Sequence, residues 1–262
     1  MPPADRASRR PSRPASRGSA LGSAGALSAL VVLVAAFVKG AIGVGFPTLA
    51  TPLLALVVPV KTAVAVLIVP NIVMDVIQLR RRGDIRATAR RLASLLVFGA
   101  IGTVLGTRVL VHLAASTASF VLGCFVLLFV VLNATRFSPR VPARWEPWLA
   151  PPMGLLAGVV GGVTNGPGTP LVMYFYALGM AKPDFVRAVS LSFIAYKAVQ
   201  LGAVAWYGLL TWPLLGLSVA FTGVALGGFA LGLRVQDRLD QRAFNGAVLV
   251  FLGALGLWLT LR

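Results

Sequence analysis

Three ionisable residues stand inside long apolar runs of this 262-residue chain: Lys39 in AAFVKGAIG, Asp75 in NIVMDVIQL and Lys197 in SFIAYKAVQLG. An ionised side chain in a bilayer core costs about 3 kcal/mol even on the lower scales, so it faces a partner or a polar cavity. Two lysines against one aspartate leave the buried charge positive, which favours an anionic passenger. Each residue also has a plainer reading. The lysines can lay their stems along apolar surface and reach the interface, and Asp75 can pair with Arg80 or Arg81 at the end of its element. As a buried group, Asp75 is a candidate for ion pairing or for coupling to a proton or other ion.

Lys39 adjoins the first of two interruptions rich in glycine and proline. GAIGVGFPTLATPLL (40–54) aligns without gaps on GVVGGVTNGPGTPLV (158–172), placing Gly40 on Gly158, Gly43 on Gly161 and Thr51-Pro52-Leu53 on Thr169-Pro170-Leu171. Glycine supplies unusual backbone angles, and proline removes a donor and breaks a helix. A helix that restarts after such a break presents unpaired N–H groups at its positive end, a site for an oxyanion. The candidate substrate-binding residues are therefore Lys39, Gly43, Gly45, Thr48 and Thr51 in the first half. In the second they are Asn165, Gly166, Gly168, Thr169 and Lys197, where Asn165 and the threonine hydroxyls add directional donors. Continued with small shifts of register, the alignment sets Asp75 against Gln200, a second candidate for coupling or ion pairing. The plainer alternative is a packing kink whose glycines let helices approach closely.

Chemistry of other kinds finds no residues to use. The chain has no GxxxxGK[ST] loop, no HExxH, no Ser/His/Asp set and no paired carboxylates. His112 and Cys124 are its only histidine and cysteine, so a disulfide is excluded within the chain, and neither a metal centre nor a cofactor is expected. The reading is of a protein that is not an enzyme.

The elements that must hold these residues are helices in a membrane. The chain is 58% hydrophobic and 12% charged, against about 25% charged in a soluble domain. About 20 apolar residues cross a core of ~30 Å as a helix. Apolar runs fall near 26–58, 62–79, 91–112, 115–133, 149–180, 186–207, 210–232 and 243–261. The expectation is an all-α polytopic membrane protein with about eight transmembrane elements in two tandem four-element repeats. The runs 26–58 and 149–180 would measure roughly 50 Å as single helices, too long for one crossing, so broken or re-entrant helices are expected at 40–54 and 158–172. Residues 1–23, rich in Pro, Ser and Arg, read as a disordered basic tail that is retained rather than cleaved at Arg9-Arg10. The first repeat then covers 24–135, a connector 136–148 and the second repeat 149–262.

The formal net charge of +17 sits mostly in the tail and links, which fits topogenic charge rather than nucleic-acid binding. Residues 80–91 hold six arginines and 136–148 three. With each broken segment counted as one net crossing, the tail, 80–91, 136–148 and the C-terminus are cytoplasmic; full hairpins would move 80–91 outside, against its arginines. The links at Lys61, His112, Lys182 and 234–242 fall outside, and the two halves run parallel. Trp145, Trp148, Trp206, Tyr207, Trp212 and Trp258 lie near expected span ends, as an interfacial belt would.

The paired motifs AAFVKGAIGVGFPTLATPLLAL and GLLAGVVGGVTNGPGTPLVMYFYALGM resemble the TauE/SafE family, the sulfite exporter or toluene-sulfonate uptake permeases, over nearly the whole chain after the tail. The resemblance implies a secondary transporter of the bacterial inner membrane for sulfite or an organosulfonate. Family motif positions carry over onto Gly40, Gly43, Gly45, Pro47, Thr51 and Pro52. In the second copy they fall on Gly158, Gly161, Gly162, Asn165, Gly168, Thr169 and Pro170. At the place matching Asn165 the first copy has Pro47. The expected partners are a small anion, the lipid bilayer and a coupling proton or ion. The rival readings are a membrane scaffold that moves no solute and an anion channel.

Overall fold

The computed structural model describes residues 16–80, 84–134, 140–166, 168–235, 253–254 and 256–261. These residues are helical throughout apart from turns. Ten α-helices follow in chain order: α1 (Ser16–Ile42), α2 (Phe46–Leu54), α3 (Val60–Arg80), α4 (Ile85–Arg91), α5 (Ala93–His112), α6 (Ala115–Ala134), α7 (Glu146–Thr164), α8 (Gly168–Ala177), α9 (Lys182–Trp206) and α10 (Trp212–Val235). Six segments are long and apolar enough to cross a membrane: Ala24–Ile42, Val60–Arg80, Ala93–His112, Ala115–Leu132, Pro183–Trp206 and Trp212–Val235. Helix α1 begins at Ser16, inside the segment read as a disordered tail; residues 1–15 lie outside the described residues. Most of the expected eighth element at 243–261 does too, though Gly256 and Thr260 pack on α6.

Hydrogen bonds near the helix ends, with one glycine contact, fix the direction of the helices around the two breaks. Arg91, the last residue of α4, grips Glu146, the first of α7, with two bonds of 2.7 and 2.8 Å. The Tyr174 hydroxyl donates to the Glu146 carbonyl (3.2 Å), and the Val141 N–H donates to the carbonyl of Ala177, the last residue of α8 (2.8 Å). Helix α4 also packs on α9. The end of α3, the start of α7, the end of α8 and the start of α9 therefore meet at one end of the bundle, here the arginine end. Helix α7 runs away from it and α8 returns, so this broken segment is a hairpin.

The first broken segment is a hairpin of the opposite sense. Lys61 Nζ donates to the Val111 carbonyl (2.6 Å), joining the start of α3 to the end of α5 at the far end. Ser218, early in α10, donates to the carbonyl of Val66, as early in α3 (2.7 Å), so α10 also starts there. Helix α1 lies parallel to α10, with Leu33 and Phe37 against Gly228 and Gly232. It thus starts at the far end and reaches the arginine end, where Gln78 near the end of α3 donates to the Gly43 carbonyl (2.6 Å). Helix α2 then turns back toward the start of α3. Helices α3 and α9 pack together and run antiparallel.

This corrects the sequence-based topology. The broken segments are not net crossings, so the Lys182 link sits at the arginine end with 84–91, and α10 ends there as well. Helix α1 begins at the end opposite 84–91. The reason is local: Gly43 (φ 96°), Gly45 (φ 105°) and Asn165 (φ 67°) adopt left-handed backbone that reverses the chain. Composition marks a break but not whether the chain goes on or back.

Glycine ladders bind each outgoing hairpin helix to a helix of the other half. A Cβ on Gly228 or Gly232 of α10 would fall on the carbonyls of Leu33 or Phe37, and one on Gly102 or Gly106 of α5 on those of Leu155 or Val159. Small residues four apart let backbones touch in this way. Apolar cores flank the contacts, with Leu54, Leu67, Met74 and Phe229 on one side and Leu95, Phe175, Phe193 and Tyr196 on the other.

Candidate functional site

The three ionisable residues converge between the hairpins. Lys39, Asp75 and Lys197 are each 1% exposed, so neither lysine reaches an interface. Lys39, on the last turns of α1, donates to Asp75 Oδ1 of α3 (2.6 Å) and to Asn71 Oδ1 (3.2 Å), and its ammonium lies 5.7 Å from the Phe193 ring centre. Asp75 thus pairs with Lys39, not with the arginine link. Lys197 of α9 donates to the Asn165 carbonyl (2.8 Å), to Asn165 Oδ1 and to Gln200 Oε1 (2.6 Å). All three partners are neutral oxygens.

The tips themselves are built alike. Helix α1 ends with the Gly43 N–H donating to the Lys39 carbonyl (2.7 Å), and α7 ends with the Asn165 N–H donating to the Gly161 carbonyl (2.8 Å). These are left-handed caps that close the last turn. Gln78 of α3 braces the first tip at the Gly43 carbonyl, and Gln200 of α9 braces the second at the carbonyls of Gly161 and Gly162 (both 3.2 Å). The hydrogen bonds therefore match Gln200 with Gln78 and not, as the sequence alignment had it, with Asp75. Gly43 and Asn165, 122 residues apart, hold the same place. So do Gln78 and Gln200, which sets Asp75 against Lys197.

Other predicted residues join the two tips. Asn165 Nδ2 donates to Thr51 Oγ1 of α2 (3.0 Å), a buried bond from one hairpin to the other. Gly45 caps α2 with left-handed backbone, and Gly168 and Thr169 open α8; the Thr169 side chain lies outside the described residues. Thr48 faces Gly166 across a cleft that also meets Pro52, Thr164, Phe125 and Phe129. The Gly166 N–H points at Thr164 Oγ1 (3.3 Å), which itself donates to the Val160 carbonyl (2.8 Å).

Sequence reasoning missed Asn71, Gln78 and Ser190, the last beside Asp75 on α9. A signal for Gln78 existed. IVMDVIQL (72–79) and IAYKAVQL (194–201) match without gaps at Ile72/Ile194, Gln78/Gln200 and Leu79/Leu201. No metal-holding group of His, Cys, Asp and Glu occurs among the described residues.

The arrangement brings two lysines and one aspartate together, away from water, between two broken helices. No curated protein and no solved structure matches the chain. Over residues 28–259 it matches the family model described as Sulfite exporter TauE/SafE, and the chain belongs to that family of multi-pass membrane transporters.

Proposed function

We propose that the chain is a secondary transporter of a small anion, with sulfite or an organosulfonate as passenger. The observation that carries this reading is the charge inventory: Asp75 is in direct contact with Lys39, while Lys197 feels that carboxylate only at longer range and hydrogen-bonds to the neutral oxygens of Asn165 and Gln200. An oxyanion arriving at the second tip gives that ammonium a charged partner, and charge-assisted bonds are roughly twice as strong as neutral ones. The cleft beside Thr48, Thr164 and Gly166 supplies a hydroxyl at Thr48 and an approach past Phe125 and Phe129 of α6.

We also read the halves as an inverted repeat about the contact of α3 with α9, which suits alternating access around a central site. The arginine-rich links favour a cytoplasmic arginine end in a plasma membrane, so α1 enters from the other face. After removal of Cys124, a Thr211→Cys variant should label from outside and Ala87→Cys should not. An N-terminal tag reporting with Ala87 would overturn the placement.

Uptake by the purified protein in liposomes tests the function. Sulfite, thiosulfate, sulfoacetate, taurine and chloride are the probes, and saturable uptake of at least one sulfur oxyanion is expected. Absence of all flux would favour a scaffold, and flux that never saturates would favour a channel.

A further inference from the structure

Around Asp75 the hydrogen bonding is incomplete in a patterned way. Asp75 Oδ2, Gln78 Oε1, Asn71 Nδ2 and Ser190 Oγ are all buried without a hydrogen-bond partner. Leaving such groups bare costs about 1–3 kcal/mol each. Asn71, Asp75 and Gln78 occupy successive turns of α3, where side chains three and four apart are neighbours, and Ser190 faces the carboxylate from α9. Ser190 can turn its hydroxyl to Oδ2, which leaves Gln78 Oε1 as the buried acceptor with no hydrogen.

We infer that Oδ2 of Asp75 is a proton-binding site and that its occupancy switches Lys39 between the carboxylate and the passenger. A proton on Oδ2 makes the carboxyl a donor toward Gln78 Oε1, one turn along the same face, and gives that acceptor the hydrogen it lacks. The neutral acid no longer holds the Lys39 ammonium as an ion pair. Lys39 and the bare Asn71 amide then form a second donor set for an anion, beside Lys197. One proton enters with one passenger, and the proton returns to water when Lys39 reclaims Asp75. The other groups facing this carboxylate are few. Of the helices packed on α3, α1 brings Lys39 and α9 brings Lys197 and Ser190, while Arg234 of α10 is exposed and α2 and α6 bring no charged side chain.

The coupling rests on the transport reading above, but the proton site does not, so the test has two arms. Infrared difference spectra of the protein in lipid, taken through an acid titration, should contain a protonated-carboxyl stretch that is missing in Asp75→Asn and present in Asp75→Glu. In liposomes loaded with pyranine, sulfoacetate and the other probes should drive proton entry, and an acid exterior should raise accumulation several-fold. In Asp75→Asn the exchange rate, whatever its size, should lose its pH dependence. The double variant Lys39→Gln/Asp75→Asn keeps the pair neutral should the single variant misfold. A carboxyl band unchanged in Asp75→Asn, or pH-driven accumulation that survives in it, overturns the inference. If no probe moves in the wild type, the transport reading fails and the infrared arm alone decides the proton site.

Discussion

The two hairpin tips share a backbone plan and differ in charge. At the first, glycine makes the left-handed cap, and the nearby lysine is answered by a carboxylate. At the second, asparagine makes the same cap, and its two oxygens share the lysine with Gln200. One scaffold thus carries a neutralised tip and a charged one. On the proposed reading, the first tip serves control and the second recognition.

The largest expected effect separates these roles. Lys197→Met removes the unanswered cation and should cut saturable uptake about a hundredfold, given about 1.5–3 kcal/mol for a charged hydrogen bond. The protein should remain folded, because its former partners are neutral. Lys39→Met strands a buried carboxylate, and breaking such a pair costs about 3–5 kcal/mol. Thermal unfolding should show that loss, and adding Asp75→Asn should recover most of it. Equal destabilisation by the two lysine variants would break the comparison.

Smaller changes sharpen it. Asn165→Gly keeps the left-handed cap but removes the bond to Thr51 and one oxygen from Lys197, so affinity should fall while stability drops by about 1 kcal/mol. Gly43→Ala forces a side chain into left-handed backbone, at a cost of roughly 1–2 kcal/mol, and should act on stability more than on affinity. Gln78→Leu and Gln200→Leu should each cost about 1 kcal/mol. Their near-equality, read from melting in detergent, is the check on the shared brace.

The helices, the two breaks and most of the polar centre were legible in the sequence, because an ionised residue in an apolar run and a Gly/Pro cluster both stand out there. Lys39, Asp75, Asn165 and Lys197 declared themselves in that way. The register between the halves did not. The shared Thr-Pro-Leu drew the breaks into an alignment 118 residues apart, whereas the caps at Gly43 and Asn165 lie 122 apart, one helical turn further on. A shift of one turn preserves the helix face, so pattern alone hardly resists it. Direction was hidden for a different reason: a left-handed residue turns the chain through backbone angle, and no side chain records that at the level of composition.

The glycine contact of α7 with α5 has a mechanical consequence. Gly154, Gly158 and Gly162 recur at every fourth residue along α7, each with its Cα against the backbone of α5 near Leu95, Gly99 and Thr103. Such a surface has no side-chain teeth, and a slide of one turn, about 5.4 Å, would bring each glycine to the place its neighbour left. Helix α1 has Val32 and Ala36 where such a ladder would continue below Gly40, so it is keyed in place. Spin labels on α5 and α7 should change separation by about one turn when the passenger is added, and labels on α1 and α10 should not.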